Sequence, residues 1–171
     1  MQMRGESPEV FYPGQDPVIV DASDVERLKQ AAQSSPRQRA RLCTHSVPSD
    51  KLHEMLIALP HGAYVRPHKH VGKSESFTIF EGEADLILFN DNGDVRQVIP
   101  MGSPLAGKPF YYRTSQEVYH TLIIRSSMLV FHEVTDGPFR REQTVFPAWA
   151  PDGSDEVSAC HFNARLTSLA S

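Results

Sequence analysis

From Asp50 to Asp136 the chain consists of short apolar runs separated by turn residues. Runs of 5–8 residues rich in β-branched and aromatic side chains alternate with Gly, Pro, Asn and Asp, the pattern of short β-strands. The predicted strands are 52–59, 63–66, 76–80, 84–89, 95–99, 109–113, 118–125 and 127–134. Asn92-Gly93 lies between two of them and is typical of a tight hairpin. With no helical pattern in between, these strands predict an antiparallel sandwich or barrel.

The segments on either side differ from this region in pattern. Residues 1–16 are polar and rich in proline, so we expect a tail, followed by a short strand at 17–20. Ser23 and Glu26 have the spacing of a capping box, which predicts a helix at 24–33. After Asp136 the chain is rich in turn residues, and we expect it to wrap the barrel. The predicted organisation is an N-terminal extension at 1–50, a β-barrel at 51–135 and a C-terminal wrapping extension at 136–171.

Composition limits the class of protein. The 171 residues indicate one domain, and a hydrophobic share of 40% with 22% charged residues is ordinary for a folded chain. The net charge of −4 offers no basic surface for nucleic acid or an anionic membrane. Two cysteines suit a reducing compartment. Because no signal-peptide pattern and no apolar run of about 20 residues occurs, we expect a cytoplasmic protein.

Among the eight histidines, two have a spacing that suggests a shared role. His68 and His70 are two residues apart, so in an extended chain both side chains point to the same side. A turn at Gly72 then reverses the chain, and Glu75 opens the next strand. Three potential metal ligands can therefore converge on one point. His120 lies in another predicted strand, fifty residues further along.

This stretch resembles the first motif of the cupin superfamily. The spacing G-x5-H-x-H-x4-E-x6-G is met by Gly62, His68, His70, Glu75 and Gly82. The metal-binding histidine of the second cupin motif corresponds to His120, although Thr114-Ser115-Gln116-Glu117 replaces the usual Pro-x-Gly before it. The resemblance implies an all-β cupin barrel, also called a jelly roll, with a short N-terminal helical extension.

A closer resemblance, over residues 37–151, is to the WbuC family of cupin-fold metalloproteins. It is carried by Arg41-Leu-Cys43-x-His45, Met55-Leu-Ile-Ala-Leu-Pro, Tyr64-Val-Arg66-Pro67-His68-x-His70, Glu133…Gly137-Pro138 and Trp149-Ala-Pro151. The family implies one divalent metal in the barrel, without an established reaction. Some members are encoded beside genes for surface polysaccharides, which implies a sugar-derived substrate by association.

Three imidazoles and one carboxylate suit a first-row divalent ion such as Zn, Fe, Mn, Ni or Cu. Without thiolate ligands, a closed structural zinc site is disfavoured. Four protein ligands leave positions on the ion for water, substrate or dioxygen, and one carboxylate leaves a net charge of about +1 that favours an anionic oxygen. The alternative is that these histidines are ordinary surface or core residues.

Several neighbours could take part in binding or chemistry. If the strand runs unbroken through Pro67, Tyr64 and Arg66 face inward with His68. Arg66 could then hold an anionic group or form a salt bridge at the rim, and Tyr64 could deliver a proton or only pack. His132 and Glu133 are adjacent, so only one of them faces the cavity. The resemblance favours Glu133, as a general base or as a structural partner.

The remaining candidates lie outside the predicted strands. Arg41 and His45 could line the entrance and bind substrate. Arg41 also belongs, with Arg37 and Arg39, to an alternating basic stretch that could recognise phosphate or form a solvated face. Cys43 is interpreted as packing, and His53, His61 and His161 as turn or surface residues.

These residues favour a metalloenzyme that acts on a small polar or carbohydrate-derived substrate, in the manner of an isomerase or epimerase. An Fe(II) dioxygenase and a non-catalytic metal-dependent binding protein are the alternatives. The predicted metal ligands are His68, His70, Glu75 and His120; Glu133 and Tyr64 are the predicted catalytic residues, and Arg66, His45 and Arg41 the predicted substrate-binding residues. By analogy with cupins we expect a homodimer.

Overall fold

The computed structural model describes residues 3–169, and β-strands dominate it. The strands are β1 (Met3–Ser7), β2 (Val10–Pro13), β3 (Ala40–Cys43), β4 (Leu52–Pro60), β5 (Lys69–His70), β6 (Glu75–Glu81), β7 (Glu83–Phe89), β8 (Val95–Gly102), β9 (Tyr111–Thr114), β10 (Tyr119–Ile124), β11 (Met128–Asp136) and β12 (Thr144–Val145). The helices are α1 (Ala22–Ser34) and α2 (Glu156–Leu169), with short 3₁₀ turns at Pro104–Ala106 and Arg141–Gln143.

The strands form two main sheets that face each other. A seven-stranded sheet has the order β1-β2-β3-β4-β11-β6-β9, and a three-stranded sheet has the order β10-β7-β8. A small third sheet pairs β12 with β5. All neighbouring strands are antiparallel except β2 and β3, which are parallel. The result is a jelly-roll-like sandwich in which no sheet closes into a barrel across residues 3–169.

Alternation along the strands determines which side chains enter the space between the two main sheets. On β11, Phe131 and Leu129 point into the core between the sheets, together with Phe77 and Ile79 of β6. Val130, on the opposite side of β11, packs under α1 instead. This period of two is what a half-buried strand requires.

The two helices cover the outer faces of the sandwich. Leu28 and Ala32 of α1 pack on Leu42 and Leu56 of the large sheet. Phe162 and Leu166 of α2, with Trp149, pack on the small sheet. The core therefore has the layer order α1, large sheet, small sheet, α2. β1 to β3 come from the first 50 residues and extend the large sheet.

Seven of the eight predicted strands match observed strands, and 63–66 is wrong. Residues 63–67 belong to no strand in the structure. They follow a turn in which Gly62 has φ 84°, and Pro67 has no N–H to donate to a neighbouring strand. The Asn92-Gly93 turn is confirmed: Gly93 has φ 93° and joins β7 to β8.

The first 35 residues differ from the predictions in three ways. Residues 3–13, predicted as a tail, form the β1–β2 hairpin, and the predicted strand 17–20 is not formed. The helix starts two residues earlier than expected. Its N-cap is Asp21, whose side chain accepts from Ser23 N and Asp24 N while the Asp24 carboxylate accepts from Asp21 N. An aspartate satisfies the free amides of a first helical turn as serine does.

Helix α2 is an element that the sequence pattern did not indicate. It covers the outer face of the small sheet within the predicted wrapping extension. Within residues 3–169, no helix is both long and apolar enough to cross a membrane.

Candidate metal centre

His68, His70, Glu75 and His120 come together at one end of the space between the sheets. His68 forms a bridge with His120 of β10, through His68 N to His120 O at 3.1 Å and His120 N to His68 O at 2.9 Å. His70 ends β5, and Glu75 begins β6 after the Gly72 turn. The ligand atoms of these four residues all lie within 4.8 Å of one another. We refer to these four residues as the His/Glu cluster.

The cluster is largely shielded from solvent. Glu75 and His120 are only 4% and 5% exposed, and the two other histidines are partly buried. The His120 ring lies 4.6 Å from that of His68 and 5.9 Å from that of His70, between ring centroids. Groups this polar are stable inside a protein only when paired or bound to an ion.

The backbone fixes the tautomer of two of the histidines. His68 Nδ1 lies 2.8 Å from Arg66 O, and His120 Nδ1 lies 3.0 Å from Val118 O. A carbonyl oxygen only accepts, so both Nδ1 atoms carry hydrogen, and in the neutral ring the lone pair is on Nε2. His70 Nδ1 lies 3.4 Å from the Thr144 hydroxyl. Such outer partners orient imidazoles that bind metals.

The contacts between imidazole and carboxylate fit a bound cation. Glu75 Oε2 lies 3.1 Å from His120 Nε2, and Glu75 Oε1 lies 3.6 Å from His70 Nε2. Despite this approach, Glu75 Oε2 is buried without a hydrogen bond of acceptable geometry among the described residues. A lone pair on Nε2 facing a carboxylate oxygen is repulsive unless a proton or a metal ion lies between them. The cluster therefore supports a divalent metal ion.

The pKa values in the cluster follow from burial and mutual charge. Burial lowers the pKa of His68 to about 3, and His120 acts in the same direction. Burial opposes ionisation of Glu75, but the close approach of the His120 and His70 rings holds its pKa well below the usual range. Burial would lower the pKa of His120, but Glu75 raises it above the ordinary value. The site thus presents an ionised carboxylate and a neutral His68, the forms that ligate metals.

Of the adjacent pair on β11, Glu133 faces the cluster. It is paired with Phe77 across β6 and with Met55 across β4. Burial and the charge of Glu75 raise its pKa to about 8. His132 points to the opposite face, where its ring stacks on Phe80 with centroids 6.3 Å apart and its Nε2 lies 3.8 Å from Glu54 Oε1.

Tyr64 and Arg66 are not brought into the cluster, because the chain before His68 is not a strand. The Tyr64 hydroxyl donates to Pro151 O at 2.9 Å, and burial raises its pKa to about 12. Arg66 forms an ion pair with Asp152 at 2.6 Å, and its guanidinium lies 4.8 Å from the centroid of the Phe146 ring. Both side chains join the segment before His68 to the C-terminal part of the chain.

Arg41 lies on β3 and His45 just after it, so β4 and β11 separate both residues from β6 within the large sheet. The His45 ring stacks on that of His53 with centroids 4.0 Å apart, and burial lowers its pKa. His53, predicted at a turn or on the surface, is instead buried within β4. Arg41 is exposed on β3, and its charge opposes the increase in the pKa of Glu133.

Tyr112 is a neighbour of the cluster that the sequence did not single out. It lies on β9 opposite Phe77, with ring centroids 5.3 Å apart, and its ring centroid is 6.4 Å from that of His120. Its hydroxyl is buried without a hydrogen-bond partner in the described part of the chain. The alternation along Tyr111-Tyr112-Arg113-Thr114 predicts that one tyrosine faces inward, but not which one.

Two cavities differ in their relation to the cluster. One of about 370 Å³ has Tyr112 and Val118 on its wall, and both contact His120. Another of about 260 Å³, at the β1–β2 hairpin and the loop after His45, has no cluster residue on its wall. Of these two cavities, the first is the one that adjoins the cluster.

Comparison with known proteins gives a fold but no activity. A family model described as a domain of unknown function, DUF6016, matches residues 20–101. No curated protein matches the chain.

Three solved structures illustrate the likeness. CapF, a capsular polysaccharide assembling protein from Staphylococcus aureus, is 15% identical with a TM-score of 0.53, over 66% of this chain and 32% of that chain. A CapF structure with the inhibitor 3-isopropenyl-tropolone is 15% identical with a TM-score of 0.52, over 66% and 33%. A mutant of Bacillus subtilis oxalate decarboxylase is 18% identical with a TM-score of 0.49, over 63% and 27%.

These similarities cover only about a third or less of each of the three larger chains. At 15% identity, the likeness to CapF concerns the fold. The two facing sheets agree with it. The chain has the jelly-roll fold of the cupins, with a His/Glu cluster suited to a divalent metal ion.

Proposed function

We propose that this protein is a metal-dependent enzyme that acts on a small polar molecule, with one divalent transition metal ion held by His68, His70, Glu75 and His120. The observation that carries the proposal is the arrangement of Glu75 against the Nε2 atoms of His70 and His120. Backbone carbonyls hold the hydrogens of His68 and His120 on the other ring nitrogen. Three nitrogens and one oxygen suit Zn, Fe, Mn or Ni, and metal availability decides among them.

Glu133 is the proton-transfer group in this proposal. When bound, the ion would act as a Lewis acid on a carbonyl or hydroxyl oxygen of the substrate. Glu133 lies beside Glu75 on the inner face of the large sheet, and its raised pKa keeps a proton on its carboxyl group at neutral pH. A carboxyl group with a pKa near the working pH can give and take a proton, as isomerisation or epimerisation requires.

A WbuC-type protein with a carbohydrate-derived substrate is part of the same proposal. The residues of that resemblance include Gly137, where an added Cβ would collide with Asp50 O and the His53 ring. A glycine is therefore required at this position. CapF, similar in fold, is described as assembling capsular polysaccharide. We also propose a homodimer, which sedimentation analysis would test.

Metal content tests the site. The protein is purified without a metal affinity column and analysed by elemental analysis, beside His68→Ala, His120→Ala and the exposed-site control His161→Ala. We expect about one ion per chain in the wild type and the control. Loss of one of four ligands should reduce affinity at least about 100-fold, since even outer partners contribute 10- to 100-fold. Full occupancy in both ligand variants would refute the assignment.

The identity of the bound metal and a turnover assay then distinguish three candidate functions: an isomerase or epimerase, an Fe(II) dioxygenase and a non-catalytic binding protein. Zinc or manganese with solvent deuterium in a recovered sugar derivative supports the isomerase. Iron with substrate-dependent oxygen uptake would select a dioxygenase instead. Metal binding with substrate retention but no deuterium exchange and no oxygen uptake would indicate a binding protein, and the proposal of an enzyme would be wrong.

A further inference from the structure

The cavity of about 370 Å³ beside the cluster opens between the two main sheets. Its walls come from β7, β8 and β9 and from the loop before β10, and they include Leu88, Arg96, Ile99, Tyr112, Arg113 and Val118. Val118 O accepts the hydrogen bond from His120 Nδ1, and Tyr112 packs against the His120 ring. One end of the cavity is thus adjacent to the proposed metal ion. We call it the β8–β9 cavity.

Two unpaired cations lie on its walls. Arg96 is on β8 of the small sheet and Arg113 on β9 of the large sheet. Arg113 pairs with Ser76 and so lies on the face of β9 opposite Tyr112, at the rim of the cavity rather than between the sheets. Both are exposed, and within residues 3–169 neither guanidinium has an acidic partner. By contrast, Arg66, Arg125 and Arg37 each form an ion pair. A guanidinium group binds carboxylate and phosphate oxygens through paired N–H donors.

The hydroxyl of Tyr112 is a further donor without an acceptor. It is buried with no hydrogen bond of acceptable geometry to any described residue, and the neighbouring Thr114 hydroxyl acts against the increase that burial causes in its pKa. A tyrosine at neutral pH carries its proton. Buried hydroxyl groups are normally satisfied, so an unmatched one indicates a missing acceptor. An oxygen of a bound molecule would supply it.

The other residues on the cavity wall indicate which groups a bound small molecule would carry along its length. Leu88, Ile99 and Val118 form an apolar side, while Gln97, Thr114 and Gln116 offer amide and hydroxyl groups. A volume of about 370 Å³ is within the usual range for a small-molecule site. A cluster of three neutral imidazoles, one carboxylate and a divalent ion would add a net charge of about +1.

We propose that the β8–β9 cavity binds a small anionic sugar derivative, whose carboxylate or phosphate group pairs with Arg96 and Arg113 while another of its oxygens accepts from Tyr112. This inference rests on the proposed function for its link to the metal ion. The two arginines would bind the anionic group of the ligand whether or not the metal ion is present.

Calorimetric titration of the metal-loaded protein with three probes tests the proposal. D-Glucuronate and D-glucose 6-phosphate carry the two anionic groups, and D-glucose is the neutral counterpart. We expect at least one anionic probe to bind about tenfold or more tightly than glucose, as charged hydrogen bonds contribute. Whichever of the two anionic probes binds more tightly shows whether the cavity prefers a carboxylate or a phosphate group. Equal binding of all three probes, or no binding of either anion, would overturn the proposal.

Substitutions of residues on the cavity wall test whether the anionic probe binds in this cavity. Arg96→Gln and Arg113→Gln should each weaken the anionic probe about tenfold and leave glucose unaffected. Arg140→Gln, an exposed arginine outside the cavity, is the control and should change nothing. Tyr112→Phe should weaken the probe about threefold or more without loss of metal. Unchanged affinity in both arginine variants, with the fold intact by circular dichroism, would contradict the site.

Titration of metal-free His120→Ala separates this inference from the proposed function. Anion binding that persists there and depends on the arginines supports the cavity even if elemental analysis finds no metal. Normal metal content in the wild type with no anion binding would reject the cavity alone. Because the arginines are exposed, raising the salt concentration should weaken the anionic probes and leave glucose unchanged.

Discussion

Glu75 and Glu133 are two carboxyl groups on neighbouring strands whose surroundings drive their pKa values apart. Glu75 has two imidazoles beside it, and these hold its pKa well below the usual range. Glu133 is buried with the charge of Glu75 as its neighbour, and its pKa is raised to about 8. One group therefore carries charge and the other a proton at neutral pH. Such a division is how sites separate a ligand from a proton donor.

The raised pKa of Glu133 predicts a pH-dependent effect of Glu133→Gln on stability. Below the unfolded-state pKa of about 4.3 both states are protonated, so the wild type and the neutral variant should have similar Tm values. As the pH rises towards 8, the unfolded carboxyl group ionises while the folded one stays protonated, and the wild type loses stability. A glutamine side chain does not ionise, so the Glu133→Gln variant loses no stability in this way. The variant should therefore gain on the order of 5 °C relative to the wild type by pH 8.

Thermal unfolding of metal-free protein in chelator, from pH 4 to pH 9, measures this difference. Glu142→Gln, at an exposed position, serves as the control and should show no comparable gain. A difference between Glu133→Gln and wild type that stays flat, or that grows as the pH falls, would show that Glu133 does not hold its proton in the folded state.

At the scale of elements, the chain passes from one sheet to the other at Gly82. β6 ends at Glu81 in the large sheet and β7 begins at Glu83 in the small one. Gly82 has φ 87°, and an added Cβ would collide with Met128 O and the Ser126 hydroxyl. Gly62 has a similar φ of 84° but open space around it. Both glycines of the motif are therefore needed for their conformation, but only Gly82 also for close packing.

This contrast predicts unequal costs of the same substitution. Gly62→Ala should lower the free energy of unfolding by about 1–2 kcal/mol, the cost of a left-handed backbone for a residue with a Cβ. Gly82→Ala should cost at least about 2 kcal/mol more, because the β6–β7 connection and β11 must also move apart. Urea unfolding curves of the two variants give the comparison. Equal losses would mean that the collision at Gly82 is relieved without cost.

Motif spacing and strand alternation predicted three members of the His/Glu cluster, and the resemblance to the second cupin motif added His120. Two histidines two residues apart share a side, and the turn at Gly72 brings Glu75 beside them. The β1–β2 hairpin was not predictable in the same way, because Arg4, Glu6 and Pro13 break the apolar pattern and the pairing partner β3 is distant in sequence. Helix α2 has only three buried residues, Ala159, Phe162 and Leu166, too few for a clear periodicity. Tertiary packing determines both elements.

At the scale of the whole molecule, the proposed ligands link separate sheets. His70 is on β5 of the two-stranded sheet, Glu75 on β6 of the large sheet and His120 on β10 of the small sheet. The segment before His68 is tied to the C-terminal part through Arg66 and Tyr64. An ion at the cluster would therefore hold together parts of the chain that are far apart in sequence, and its binding should stabilise the folded state as a unit.

Metal addition should raise the Tm, and more so at higher pH. An ion that binds only the folded chain contributes about 2.7 kcal/mol at 100 times its Kd, which corresponds to roughly 5–10 °C for a chain of this size. Because Glu75 raises the pKa of His120 above its ordinary value despite burial, a proton competes with the ion on that ring. The shift caused by Mn²⁺ or Zn²⁺ should therefore be larger at pH 8 than at pH 6. Differential scanning calorimetry should show it in wild type and His161→Ala but not in His120→Ala; a rise of equal size in all three would place the ion elsewhere.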